Sequence, residues 1–567
     1  MLVPKLFTTL KTYNKNLFFS DVSSGVIVGI VALPLAIAFG IASGVSPNNG
    51  LITAVIAGFI ISALGGSRVQ IGGPTGAFIV IVYGIVQKYG MDGLMIATIM
   101  AGIMLVLMGF MKLGTLIKFI PLPIITGFTS GIALIIFTTQ IKDLLGLNIP
   151  NLPSEFLAKI PVYISNITAF NIDTIIVSAI SLFTIIFLGK FLQKIPSTFI
   201  ALILGTLVVY VFGLEVDTIS TRFGQLTSSI PSIRMPEISF DIVYNLAGPA
   251  FTIAMLGAVE SLLSAVVADG MIGGKHRSNM ELIANGAANI VAPFFGGIPA
   301  TGAIARTVTN IRNGGKTPVA GITHSVVLLL ILLFFGQYAG MIPMCVLASI
   351  LMVVAYNMSE WREFKAQLKM PRSDVIVLIT TFLLTVIFDL TVAIEVGIVL
   401  SAMLFMRRMA AVTNIGVISR EFDEGLESED IGANSIQGKN IPEGVLIFEI
   451  DGPFFFGAAS KFKDAIRFVG KTTDVLILRL RKVPAIDSTG IATLEDFYYD
   501  CKKRSTILIL SGLHAQPMFA CEHAGLLDKI GEVNIRGNID DALNRAREIL
   551  GLPPENVIAE KESSIEK

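Results

Sequence analysis

Residues 24 to 406 form a succession of apolar runs separated by short breaks that are polar or carry glycine and proline. A helix needs roughly 20 predominantly apolar residues to cross a bilayer. Read this way, the chain predicts fourteen segments, at 24–43, 50–64, 73–86, 93–111, 117–141, 172–192, 199–214, 247–267, 280–295, 300–311, 318–336, 341–356, 374–388 and 391–406. The third and the tenth are too short to cross, and each opens on the same kind of phrase, "GGPTGA" from Gly72 and "GGIPATGA" from Gly296. They hold the same position in two sets of seven. An odd-numbered half inserts the next half upside down, which is the arithmetic of an inverted repeat.

The two phrases have a physical reading. Proline lacks a backbone donor and glycine permits close backbone approach, so each phrase starts a half-helix inside the membrane. The N–H groups of its first turn have no partner within the helix and carry the positive end of the helix dipole. Two such starts brought together from inverted halves make an anion site. The candidate residues are Thr75, Gly76 and Ala77 in the first half and Thr301, Gly302 and Ala303 in the second, with the two threonines as hydroxyl donors. The competing reading is that these glycines only allow tight helix packing. The match between halves favours a site.

Composition then fixes the environment. The chain is 53% hydrophobic and 15% charged with a mean hydropathy of +0.75, the balance of a membrane protein. Lysine plus arginine and aspartate plus glutamate number 42 each, so there is no basic field to recruit nucleic acid. Cys345, Cys501, Cys521 and four histidines give neither a disulfide framework nor a zinc-ligand spacing. The first apolar run lacks a small-residue cleavage site and reads as a span rather than a signal peptide. Lys5, Lys11 and Lys15 precede the first span, Lys275, His276 and Arg277 separate the eighth from the ninth, and Arg407 and Arg408 follow the last. These cations predict both termini on the cytoplasmic side of the inner membrane.

The pattern changes after Arg408. Residues 1–410 read as the membrane domain and 411–441 as a charged linker. In 442–550 short β-rich runs alternate with helical ones, the signature of a small α/β domain. The tail 551–567 has the composition of a disordered segment.

Charge inside a span is costly and marks function by default. Glu260 lies in the middle of the eighth segment with Ser264 one turn on. It is a candidate coupling site for a proton or cation, the alternative being a structural acid held by neighbouring hydroxyls. Arg306 follows the second half-helix start and supplies a full positive charge to the anion, unless it snorkels to the surface with Arg312 and Lys316. Asp389 and Glu395, near the last turn between spans, read as structural.

The string "LGAVESLLSAVVADG", the continuation from "HRSNMELIANGAANIVAPFFGGIPATGAIARTVTNIRNGGKTPVAG", the phrase "DLTVAIEVGI" and the first-span phrase "ALPLAIAFGIASGVSP" together resemble the SulP anion transporters. "PAIDSTGIATLEDF" resembles a STAS domain. The resemblance covers nearly the whole chain. It implies a core domain moving against a gate domain, a cytoplasmic STAS module, a homodimer, and Phe39 of the first span beside the anion. In anti-sigma-factor antagonists the serine at the place of Ser488 accepts a phosphate; here an N-cap role for Asp487 or Ser488 is the alternative. The expected activity is alternating-access transport of a small inorganic or carboxylate anion without an organic cofactor. Sulfate with proton coupling leads, because Glu260 is followed in the tenth span by the aliphatic Ile304. Sodium-coupled bicarbonate or dicarboxylate transport and an uncoupled exchanger or channel are the alternatives. No nucleophile–base pair, metal motif or nucleotide loop suggests an enzyme.

Overall fold

The computed structural model describes residues 2–115, 121–149, 152–153, 155–188, 196–224, 232–236, 240–388, 390–418, 439–466 and 473–554. The chain divides into two compact units, Met1–Ser401 and Ala402–Lys567. Asp389, most of the expected linker, most of the tail, the start of the fifth segment and the end of the sixth lie outside the described residues.

In the first unit the longer helices among the described residues are α1 (Lys15–Ala42), α2 (Pro47–Leu64), α3 (Ile79–Phe110), α4 (Leu122–Leu145), α5 (Phe156–Asn166), α6 (Ile172–Phe183), α7 (Ser197–Phe212), α8 (Phe240–Ile272), α9 (Ser278–Val291), α10 (Ile304–Arg312), α11 (Pro318–Ala339), α12 (Met344–Met358), α13 (Arg372–Ile387) and α14 (Leu390–Val412), the last continuing into the second unit. Among the described residues, seven helical stretches are long and apolar enough to cross a membrane. Phenylalanines such as Phe110, Phe183, Phe212 and Phe334 point outward, as an apolar solvent permits.

The expected third and fourth segments are two helices that meet at Gly90, whose φ of 69° and ψ of −167° are not helical, so α3 is a pair of helices joined at a kink. The ninth and tenth are separate and short, as α9 and α10. The amphipathic α5 was not anticipated; it lies between spans. Packing carries the inverted repeat: α1 packs on α2 and α11, while α8 packs on α9 and α3. The second half thus repeats the first with the broken helices exchanged. Where α3 crosses α9 the backbones nearly touch, and a Cβ on Gly102 would lie 2.7 Å from the Gly286 carbonyl oxygen. A second group, α4, α6 and α7 with α12 and α13, packs within itself.

In the second unit a five-stranded sheet has the order β3 (Asn414–Ile418), β4 (Val445–Asp451), β5 (Val475–Lys482), β6 (Ile507–Ser511) and β7 (Ile535–Arg536). β3 is antiparallel to β4 and the other pairs are parallel. Phe448, Leu478 and Leu510 face one apolar core and Ile447, Ile477 and Ile509 the other, so helices cover both faces as the alternating pattern predicted. Part of the stretch read as linker is strand β3: it pairs from Asn414 opposite Asp451 to Ile418 opposite Ile447. A ladder partner supplied from thirty residues onward is invisible to local composition.

Candidate functional site

The site begins where two chain segments stop being helical. β1 (Gly72–Gly73) and β2 (Thr301–Gly302) pair antiparallel, Gly72 opposite Gly302 and Gly73 opposite Thr301. Beyond them the chain re-enters helix, through a 3₁₀ turn at Gly76–Phe78 into α3 and at Ile304 into α10. The two half-helix starts therefore emerge side by side from one small ladder.

Non-helical backbone at membrane depth must have its polar groups satisfied by protein, and buried side chains do this. Asn289 donates to the Ala300 carbonyl and accepts from the Ala300 N–H, both at 2.8 Å. Asn310 donates to the Val69 carbonyl at 2.8 Å, Thr307 Oγ1 accepts from the Ile71 N–H at 3.0 Å, and Thr53 Oγ1 accepts from the Ile298 N–H at 2.7 Å. The Ala303 N–H donates to the Ile71 carbonyl at 2.8 Å. Gln70 donates to Ser261 at 2.9 Å, and a Cβ on Gly302 would fall 1.7 Å from its Nε2. A side chain at that position would have to displace the Gln70 amide. Sequence reasoning missed Asn289, Asn310, Thr307, Thr53 and Gln70; a polar residue recurring within otherwise apolar segments was the available signal.

The predicted residues separate into two groups. Thr75 stands at the first helix start in extended conformation and donates its hydroxyl to Glu260 Oε2 at 2.8 Å rather than capping its own helix. Gly76 faces Phe39 and the gate-side Met358: a Cβ there would lie 3.5 Å from the Phe39 ring and 2.7 Å from Met358 Sδ. Ala77 is buried beside them. Arg306 is 2% exposed and does not snorkel; its Nη2 donates to the Pro74 carbonyl of the other half-helix. Arg312 and Lys316 are exposed. Arg306 Nη1 has no hydrogen-bond partner among the described residues, and its charge acts on Glu260. Glu260, Thr75, Pro74 and Arg306 thus join both repeats around one point.

Two expectations are corrected. Thr301 is not at a helix start: it sits in β2, fully buried, and its hydroxyl donates to the Gly257 carbonyl at 2.9 Å. Gly302 and Ala303 follow it, with Ala303 as the residue preceding α10. Ser264 gives its hydroxyl to Thr307 Oγ1 at 3.2 Å and not to Glu260. The Thr301 hydroxyl ties β2 to α8, and the Ser264 hydroxyl ties α8 to α10.

In the second unit α15 (Phe456–Ile466) precedes β5 and α16 (Ser488–Lys503) follows it. Asp487 caps α16, accepting from the Gly490 N–H at 2.7 Å, while Ser488 is exposed at its first position. Glu395 is exposed.

The two half-helix starts thus emerge from one two-stranded ladder beside Glu260 and the buried Arg306, in a unit with several membrane-spanning helices that is followed by an α/β unit. The chain belongs to the sulfate permease family, whose model matches residues 18–381, and residues 439–542 match the STAS domain; it is an anion transporter of that family. It is 42% identical to YvdB of Bacillus subtilis, provisionally named a sulfate transporter, over 94% of this chain and 98% of that one. It is 30% identical to the bicarbonate transporter BicA of Picosynechococcus over 94% and 95%. Among solved structures it resembles the murine anion transporter Slc26a9 in its inward-facing state, with a TM-score of 0.85 at 21% identity, covering 96% of this chain and 94% of that one. It also resembles the transmembrane domain of BicA, with a TM-score of 0.62 at 29% identity, covering 67% and 98%.

Proposed function

We propose that the protein is a proton-coupled symporter of a small inorganic oxyanion, sulfate first, working by alternating access in the cytoplasmic membrane as a homodimer with both termini and the STAS domain inside. The anion binds at the N-termini beginning at Gly76 and Ile304, against Thr75, Ala77 and Phe39, with Arg306 behind them. The observation that carries this reading is the hydrogen bond from Thr75 to Glu260. It ties the one mid-span acid of α8 to a residue of the anion site, so protonation of the acid and occupancy by the anion act on each other.

A second reading is sodium-coupled bicarbonate transport, favoured by the similarity to BicA. Uptake of labelled sulfate, bicarbonate and fumarate into proteoliposomes, with proton and sodium gradients imposed in turn, separates the two. Sulfate accumulation driven by an inward proton gradient is the expected result. Accumulation of bicarbonate driven only by sodium selects the second reading, and equilibration without accumulation selects an exchanger or channel.

A further inference from the structure

A cleft of about 600 Å³ opens between α3, α4 and α5, and it runs from Ile79, one turn beyond Gly76, to Lys88, Lys142 and Lys159. Along α3 that is a climb of about 18 Å from the half-helix start to Lys88. The far end of the cleft holds one unusual group. Lys159 of α5 is only 4% exposed, and the acceptor its ammonium meets among the described residues is the Thr139 hydroxyl of α4, at 3.1 Å. A buried ammonium is ordinarily paired with a carboxylate; this one has none among the described residues.

The neighbouring charges do not remedy this. Lys142, half-buried on α4, donates to the Ile149 carbonyl, and Lys88 is exposed, its ammonium 5.0 Å from the Tyr89 ring. Of the two carboxylates lining the cleft, Asp143 is committed to Arg222 at 2.7 Å and Glu155 is exposed to solvent. Burial alone pushes the Lys159 ammonium down to about 8, with no carboxylate acting on it. The cleft is thus short of one negative charge at its most desolvated cation.

The geometry points to a second anion site at Lys159, Thr139 and Lys142, which takes a small inorganic oxyanion and holds it at the mouth of the cleft leading to Gly76. This rests on the transport reading for its role, though not for its existence. An oxyanion there accepts from the Lys159 ammonium, which the Thr139 hydroxyl holds in place as an acceptor while giving its own proton to the Ile135 carbonyl, and supplies the missing counter-charge. Its function is capture: it raises the local anion concentration on the α5 side before the substrate descends along α3.

The full-length protein in detergent is treated with potassium cyanate, which carbamoylates amines, in sulfate or in gluconate at equal ionic strength, and modification is read peptide by peptide by mass spectrometry. Sulfate should slow modification of Lys159 severalfold and leave the exposed Lys11 unchanged; equal rates at Lys159 in the two salts overturn the site. In proteoliposomes, Lys159→Gln should raise the KM for sulfate supplied from the α5 side severalfold with kcat kept, and Lys159→Arg should restore it. Protection of Lys159 in a protein that transports no sulfate keeps the site and removes its role in transport. Sulfate transport by the wild type with an unprotected Lys159 and an unchanged KM in Lys159→Gln removes the site and leaves the transport reading standing.

Discussion

Replacing Arg306 with alanine tests the electrostatics of the central site most directly, and Arg312→Ala, six residues on, provides its control. Arg306 is 2% exposed and hydrogen-bonded to the Pro74 carbonyl across the repeat, whereas Arg312 is exposed. Two unit charges 4 Å apart attract by about 4 kcal/mol at an effective dielectric of 20 and by about 1 kcal/mol in bulk water. A site shielded on the protein side and wet on the other falls between these, at about 2–3 kcal/mol, or roughly 30- to 150-fold in dissociation constant. An exposed arginine acting through solvent is worth under about 0.5 kcal/mol, about twofold. The measurement is equilibrium binding of labelled sulfate to the purified protein. Thermal stability is recorded beside it, because Arg306→Ala also strips the Pro74 carbonyl of its donor, at about 1–3 kcal/mol. Similar dissociation constants for the two variants, both folded, would refute the claim that Arg306 serves the anion.

Three further outcomes are expected. Glu260→Gln keeps the shape of the side chain and its bond to Thr75 but cannot titrate, so gradient-driven uptake should vanish while anion exchange persists; concentrative uptake by this variant at every pH would locate coupling elsewhere. Thr75→Val removes the hydroxyl that Glu260 accepts from, so sulfate binding should weaken about fivefold to tenfold and the melting temperature should fall as well, since a hydroxyl bond to a charged group is worth about 1.5–3 kcal/mol and part is regained elsewhere. Thr301→Val should lower stability by about 1 kcal/mol while binding holds, because its hydroxyl serves the Gly257 carbonyl; a binding loss equal to that of Thr75→Val would restore it to the site. Asp487→Ala should cost α16 its cap, about 1 kcal/mol, seen as a lower melting temperature of the full-length protein's STAS transition in calorimetry, and an unchanged transition would count against the cap.

By itself the chain determined the spans, the two broken positions, the mid-span Glu260 and the alternating strands and helices of the soluble unit. These are local quantities: a run length, a Gly-Pro interruption, a change of period. Tertiary structure alone decided the direction of each polar side chain. The two threonines have similar sequence surroundings, yet Thr75, beyond its strand, reaches Glu260, 185 residues away, while Thr301, within its strand, reaches Gly257. Arg306 could snorkel or turn inward as far as spacing goes; the Pro74 carbonyl, 232 residues earlier in the chain, fixes it inward. Nothing in the sequence reading marked Lys159 or its helix; the packing of α5 on α4 buries it beside Thr139. A hydrogen bond is satisfied in space, and in an inverted repeat the groups that satisfy it come from opposite halves of the chain.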